Sequence, residues 1–74
     1  MIFEKLAELL ADYKDLDVKT ITPETTFEEM EFDSLDVVDV LMQLDDEFGV
    51  EVEMSPDLKT VGDVVKVIEE KQNA

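Results

Sequence analysis

The sequence predicts an all-α fold, a small four-helix bundle with three main helices and one short helix. Apolar residues recur at helical spacing in three separate segments. Residues 50–54 alternate like a strand, but no second strand can pair with them, and an isolated strand is not stable. With 74 residues and 45% hydrophobic content, the chain has room for a single domain, residues 1–74, around one small core.

The first predicted helix covers residues 2–14, and a long loop follows it. Its apolar stripe predicts a core face made of Ile2, Phe3, Leu6, Leu9, Leu10 and Tyr13. The pattern breaks over residues 15–30, where Thr22-Pro23 indicates a turn. In so small a domain, a loop of this length is expected to be functional or to be packed by its own side chains.

The second predicted helix covers residues 34–48 and ends at Gly49 in a left-handed cap. Its core face consists of Val37, Val40, Leu41, Leu44 and Phe48. A second apolar row, here called the outer stripe, consists of Leu35, Val38 and Met42. Asp39 and Asp46 flank the outer stripe on one side and Asp45 on the other, while Asp36, Gln43 and Glu47 point to solvent on the opposite side. Either other helices cover this stripe, or it is an exposed docking surface rimmed by acids.

The remaining segments complete the bundle. Residues 50–54 form an extended connector with Val50 and Val52 turned inward. Ser55 followed by Pro56 predicts a one-turn third helix at residues 55–58. Thr60 and Asp63 resemble a capping box that starts the last helix, which runs to about Lys71.

Composition excludes several classes of function. The chain has no His and no Cys, so catalytic triads, thiolate metal sites and disulfides are impossible. We therefore expect no enzyme and no metal site. A net charge of −15 argues against nucleic acid and membrane partners. With no membrane span or signal peptide, we expect a soluble, monomeric, cytoplasmic protein.

The acidic residues are concentrated in one interval. No positive residue lies between Lys19 and Lys59, whereas many acids do, and we expect a basic partner surface. The acids are Glu24, Glu28, Glu29, Glu31, Asp33, Asp36, Asp39, Asp45, Asp46, Glu47, Glu51, Glu53 and Asp57.

Ser34 lies where the loop meets the second helix, in the segment Glu31-Phe32-Asp33-Ser34-Leu35-Asp36. Asp33 or Ser34 is expected to cap the helix. Asp33-Ser34-Leu35-Asp36, followed by the acids and apolar residues of residues 38–48, also resembles the acyl carrier protein family, and the resemblance covers nearly the whole chain. It implies the acyl-carrier fold and 4′-phosphopantetheine attached to Ser34, between Asp33 and Leu35. A Mg²⁺-dependent phosphopantetheinyl transferase would take this group from coenzyme A.

The resemblance implies a carrier that holds acyl groups as thioesters and performs no chemistry itself. Its partners would be the transferase and the acyl-transfer and synthesis enzymes, which dock through basic patches. The docking residues would be Leu35, Asp36, Val38, Asp39, Met42, Asp45 and Asp46. Because the chain begins at Met1, we expect a dissociated fatty-acid system. The alternatives are a carrier for a polyketide or other acyl or aminoacyl pathway, or an unmodified acidic interaction protein.

Two departures from the family pattern bear on these expectations. The family commonly has Asp-Leu-Gly where this chain has Glu29-Met30-Glu31, which affects the backbone path into Ser34. The segment covering residues 52–61 is also shorter than usual, so we expect a reduced third helix.

Overall fold

The computed structural model describes residues 2–73, which form three α-helices and one 3₁₀ helix. Helix α1 is Ile2–Lys14, the 3₁₀ helix is Val18–Thr20, α2 is Ser34–Phe48 and α3 is Val61–Asn73. Apart from one bridge between Thr26 and Thr60, these residues contain no β-structure. The predicted all-α class is confirmed. Among residues 2–73, every helix is too short or too polar to span a lipid bilayer.

The core forms where α1 packs against α2 and α3. Helix α1 buries Leu6 and Leu10 of its predicted face, whereas Ile2, Phe3, Leu9 and Tyr13 are only partly buried. Helix α2 buries all of its predicted face except Phe48, which is partly buried. The fully buried larger side chains are Leu6, Leu10, Val40, Leu44, Val61, Val64 and Ile68. Val52 is buried and Val50 is partly buried, so the connector turns both valines inward as predicted.

Local signals in the sequence explain the helix ends. Asp15, directly after α1, adopts a left-handed conformation with φ 56°, and the Leu16 N–H donates to the Ala11 carbonyl at 2.8 Å. This bond closes the helix end in the way a C-terminal glycine usually does. Gly49 ends α2 with φ 67°, as predicted. Thr60 and Asp63 form the predicted capping box at the start of α3.

The long loop is packed by its own side chains and pinned to the start of α3. Ile21, Phe27, Met30 and Phe32 are all buried. The Phe27 N–H donates to the Lys59 carbonyl at 3.1 Å, and the Gly62 N–H donates to the Pro23 carbonyl at 2.9 Å. These contacts therefore hold the loop in a defined position where it leads into α2.

The position predicted for the short helix is wrong. Residues 55–58 form a single turn, in which the Leu58 N–H donates to the Ser55 carbonyl at 3.0 Å. The turn does not continue, because the Lys59 N–H bonds to Asp57 and to the Asp63 side chain. The segment is therefore reduced further than expected, to a turn without a helix, and the short helix lies instead at Val18–Thr20, capped by Asp17.

Candidate functional site

Ser34 is the first residue of α2, and Asp33, not Ser34, is the cap. The Asp33 side chain accepts a hydrogen bond from the Asp36 N–H at 2.9 Å, and the Asp36 side chain accepts one from the Asp33 N–H at 3.2 Å. This reciprocal capping box occupies the two aspartates. Ser34 is exposed, and within residues 2–73 its hydroxyl makes no hydrogen bond. Asp33 therefore provides the helix cap, and the neighbouring Ser34 provides an exposed hydroxyl.

The backbone enters this turn through a left-handed residue. Glu31 has φ 62°, a conformation that costs a side-chain-bearing residue energy and that glycine adopts freely. The Glu31 N–H donates to the Glu28 carbonyl at 3.0 Å, and the Phe32 N–H donates to the Phe27 carbonyl at 2.9 Å. The chain thus keeps a glycine-type path at the position where the resemblance places glycine, although the residue is glutamate.

The end of α1 holds the first turns of α2 through polar contacts. The Tyr13 hydroxyl lies 3.0 Å from Asp39 and 3.2 Å from Asp36, and the Lys14 ammonium lies 2.9 Å from Asp36. The hydrogen bond to Asp39, then partial desolvation and the contact to Asp36, raise the pKa of Tyr13 to about 12. The hydrogen bond from Lys14, followed by that from the Asp33 N–H, lowers the pKa of Asp36. We call Tyr13, Lys14, Asp36 and Asp39 the clamp.

The clamp corrects the expectation that Asp36 points freely to solvent. Asp36 is only partly exposed and is bound by α1. Glu47 is exposed but pairs with Lys5 at 3.0 Å. Two lysines of α1, Lys5 and Lys14, therefore form ion pairs with acids in the part of the sequence that contains no positive residue.

The outer stripe is exposed. Leu35 is 79% exposed, Met42 61% and Val38 39%, so the alternative that neighbouring helices cover the stripe is wrong. Asp39, Asp45 and Asp46 are exposed beside it. Val38 and Met42 also border a shallow groove of about 180 Å³ that reaches Val52 and Met54. The structure leaves an apolar surface with an acidic rim on the helix that begins at Ser34.

Sequence reasoning missed three contributors to this region. The spacing of Tyr13 predicts a place in the core stripe and does not indicate that its hydroxyl reaches α2. Lys14 carried no signal beyond its charge. Met54 is 48% exposed and extends the apolar groove; its two-residue spacing from Val52 was the signal that could have placed it there.

Comparison with known proteins gives consistent matches. Residues 4–68 match a family described as "Phosphopantetheine attachment site". The chain is 41% identical over 70 residues to a protein named "Acyl carrier protein" from Streptococcus thermophilus (strain CNRZ 1066), covering 95% of both chains. It is 41% identical over 68 residues to one of the same name from Lactococcus lactis subsp. cremoris (strain MG1363), covering 92% of this chain and 93% of that one. The likeness extends well beyond the segment around Ser34.

Proposed function

Because the chain belongs to the phosphopantetheine-attachment family of acyl carrier proteins, we propose that Ser34 is its attachment residue and that residues 1–74 form one carrier domain. Members of this family are carriers and not catalysts, and their cofactor is covalent 4′-phosphopantetheine. When attached, this group supplies the thiol that the chain lacks, since the sequence has no Cys. The exposed Ser34 hydroxyl at the start of α2, which makes no hydrogen bond to any of residues 2–73, is the observation that carries the proposal.

The surroundings of Ser34 fit a phosphodiester. The first turn of a helix presents unpaired backbone N–H groups and the positive end of the helix dipole, which favour an anion. Asp33 and Leu35 flank the attachment residue, and the Asp33 carboxylate is already engaged by the Asp36 N–H. With no His in the chain, Ser34 lacks the side chain that most often activates a hydroxyl as a base. Modification by a separate transferase is therefore the route we propose.

Ser55 provides a matched control, because it is the only other serine. It is partly buried, and its hydroxyl accepts a hydrogen bond from the Asp57 N–H at 3.2 Å. Incubation with coenzyme A, Mg²⁺ and a broad-specificity transferase should add one phosphopantetheine to wild type and to Ser55→Ala, and none to Ser34→Ala. Intact-mass measurement decides the result. Modification that survives Ser34→Ala, or an unmodified wild type, would contradict the proposal.

We further propose that the outer stripe and its rim, Asp39, Asp45 and Asp46, dock the transferase and the acyl-transfer enzymes. An exposed apolar patch with acids around it suits a partner that is steered by positive charge and held by apolar contact. Asp36 belongs to the same region, but its carboxylate is bound by Lys14 and by the Asp33 N–H. We therefore assign Asp36 a supporting role within this surface.

Two variants separate steering from holding. Asp45→Lys should slow association and weaken its dependence on salt, whereas Met42→Ala should mainly speed dissociation. Gln43→Ala, an exposed change on another side of α2, is the control and should alter neither rate. Binding kinetics with one partner enzyme at two salt concentrations measure all three. Unchanged rates for both test variants would place the docking surface elsewhere.

The pathway we propose is dissociated fatty-acid synthesis in the cytoplasm, with the chain acting as a monomer. The Asp33-Ser34-Leu35-Asp36 signature and the relatives named "Acyl carrier protein" support it. The phosphopantetheinylated chain should accept an acyl group from an acyl-transfer enzyme of such a system faster than from a polyketide counterpart. The opposite preference would assign the chain to a specialised pathway.

A further inference from the structure

We infer that Tyr13 and Lys14, at the end of α1, are positioning residues that hold the Ser34-bearing turn for the transferase. This inference rests on the proposed function of Ser34. Neither residue lies near Ser34 in the sequence, and neither belongs to the exposed docking surface. Both reach the turn through the clamp.

Asp36 links the two helices through a single carboxylate. Its Oδ2 accepts hydrogen bonds from the Asp33 N–H at 3.2 Å and from Lys14 at 2.9 Å, and its Oδ1 lies 3.2 Å from the Tyr13 hydroxyl. The same residue donates its N–H to the Asp33 side chain. The Asp33 N–H is therefore bound to a carboxylate that α1 holds in place, and the Asp36 N–H is bound to the Asp33 carboxylate.

The Lys14–Asp36 pair is sheltered. Its side chains are 31% and 21% exposed, against 59% and 45% for the Lys5–Glu47 pair. The Lys14 ammonium also lies 5.5 Å from the centre of the Phe32 ring, which packs against the Tyr13 ring at 5.6 Å. A sheltered pair with fixed neighbours holds a geometry better than a solvated pair does.

Tyr13 extends the hold to the second turn of α2. A phenol has one proton to donate, and two carboxylates lie within reach of it. Lys14 already serves Asp36, so the shorter contact, to Asp39, receives the proton. Lys14 thus fixes the first turn of α2, and Tyr13 fixes the second turn.

The preceding segment explains why this hold is needed. Glu31, three residues before Ser34, is in the left-handed conformation, which costs energy for a residue with a side chain. A strained backbone conformation persists only where the surrounding contacts over-determine it. The clamp supplies those contacts from α1.

Lys14→Gln tests the inference, with Lys5→Gln as a matched control. Both variants remove one positive charge and one α1–α2 ion pair, but only Lys14 contacts the Ser34 turn. We expect Lys14→Gln to lower kcat/KM for phosphopantetheine transfer by about threefold to fivefold, Tyr13→Phe to lower it less, and Lys5→Gln not to lower it. Lys14→Arg should restore it. Added negative charge would speed association with a cationic enzyme, so a decrease cannot come from steering.

Amide exchange provides a readout independent of the enzyme. The Asp36 N–H and the Asp63 N–H make equivalent capping bonds, to Asp33 at 2.9 Å and to Thr60 at 3.1 Å. Lys14→Gln should speed exchange at Asp36 by about threefold to fivefold and leave Asp63 unchanged. Equal behaviour of Lys14→Gln and Lys5→Gln in both measurements, or a faster transferase reaction with Lys14→Gln, would overturn the inference. An unmodified wild type would instead refute the function proposed for Ser34, while the exchange measurement would still test the clamp.

Discussion

Helices α2 and α3 begin with the same local device and differ in everything around it. Each has a capping box, made by Asp33 and Asp36 in α2 and by Thr60 and Asp63 in α3. The next residue is the exposed Ser34 in α2 and the fully buried Val61 in α3. The second helical residue is the exposed Leu35 in one case and Gly62, packed on Pro23, in the other.

The contrast shows that a capping box fixes where a helix starts but not what the start is used for. At α3 the loop closes over the helix start, through the Thr26–Thr60 bridge and the Gly62–Pro23 hydrogen bond. At α2 the loop approaches from the core side, where Phe32 is buried, and leaves Ser34 and Leu35 exposed. Available space, and not capping chemistry, distinguishes the start with an accessible hydroxyl from the structural one.

The largest expected difference concerns burial. Val61→Ala should lower the free energy of unfolding by roughly 2 kcal/mol, because it removes fully buried methyl groups. Leu35→Ala should change it by less than about 0.5 kcal/mol, because that side chain is 79% exposed. Urea unfolding measures both. Equal losses would mean that Leu35 packs against the protein in solution.

A smaller effect is expected at Gly62. A Cβ there would lie 2.9 Å from the Pro23 carbonyl oxygen, and this contact would push the loop away from α3. Alanine in an open helical position would gain about 1 kcal/mol, but we expect Gly62→Ala to lose about 1 to 2 kcal/mol. Thermal or urea unfolding checks the sign. A stabilised variant would show that the loop around Pro23 moves to accommodate the added Cβ at little cost.

The strained approach to α2 gives the next effect. Glu31→Gly should stabilise the fold by about 0.5 to 1 kcal/mol, because relief of the left-handed strain exceeds the entropy cost of glycine. Asp15→Gly is the comparison, since Asp15 has φ 56°, but aspartate tolerates this conformation better. Its gain should be smaller. If both variants gained equally, side-chain type would not matter at these positions.

The smallest difference concerns Asp36 and Asp63, the carboxylates of the two capping boxes. The pKa of Asp36 is lowered mainly by Lys14, and that of Asp63 mainly by the Thr60 N–H. Each carboxylate stabilises the fold above its unfolded pKa of about 4, and the contribution is lost as pH falls through the lower folded value. The unfolding free-energy differences between wild type and Asp36→Ala or Asp63→Ala should therefore shrink in acid. Salt at pH 7 should reduce the Asp36 difference more, since its main partner is a cation.

The sequence predicted the helices, and the position of Ser34 at the start of α2, because their signals are local. Asp33, the apolar spacing and Gly49 define α2 without help from the rest of the chain, and the bounds of residues 34–48 are confirmed. The exposure of the outer stripe could be posed only as two alternatives, since coverage depends on how the helices are arranged.

The clamp could not be predicted, for a physical reason. Tyr13 bonds to residues 23 and 26 positions away, and its ring fits the core stripe of α1 equally well. The short helix was misplaced for a related reason. Ser55 and Pro56 favour a helical turn, but bonds from Lys59 to Asp57 and Asp63 prevent its extension, and no local pattern reveals them.

The chain has one tyrosine and no tryptophan, so Tyr13 provides nearly all of its near-ultraviolet absorption and fluorescence. Its phenol contacts the carboxylates of Asp36 and Asp39. In the folded chain its pKa is about 12 instead of 10, so deprotonation in alkali should be delayed until the fold opens. The protein thus carries a single optical reporter where α1 contacts the first two turns of α2. Changes in the absorption or fluorescence of Tyr13 can therefore report events at the start of α2 without any added label.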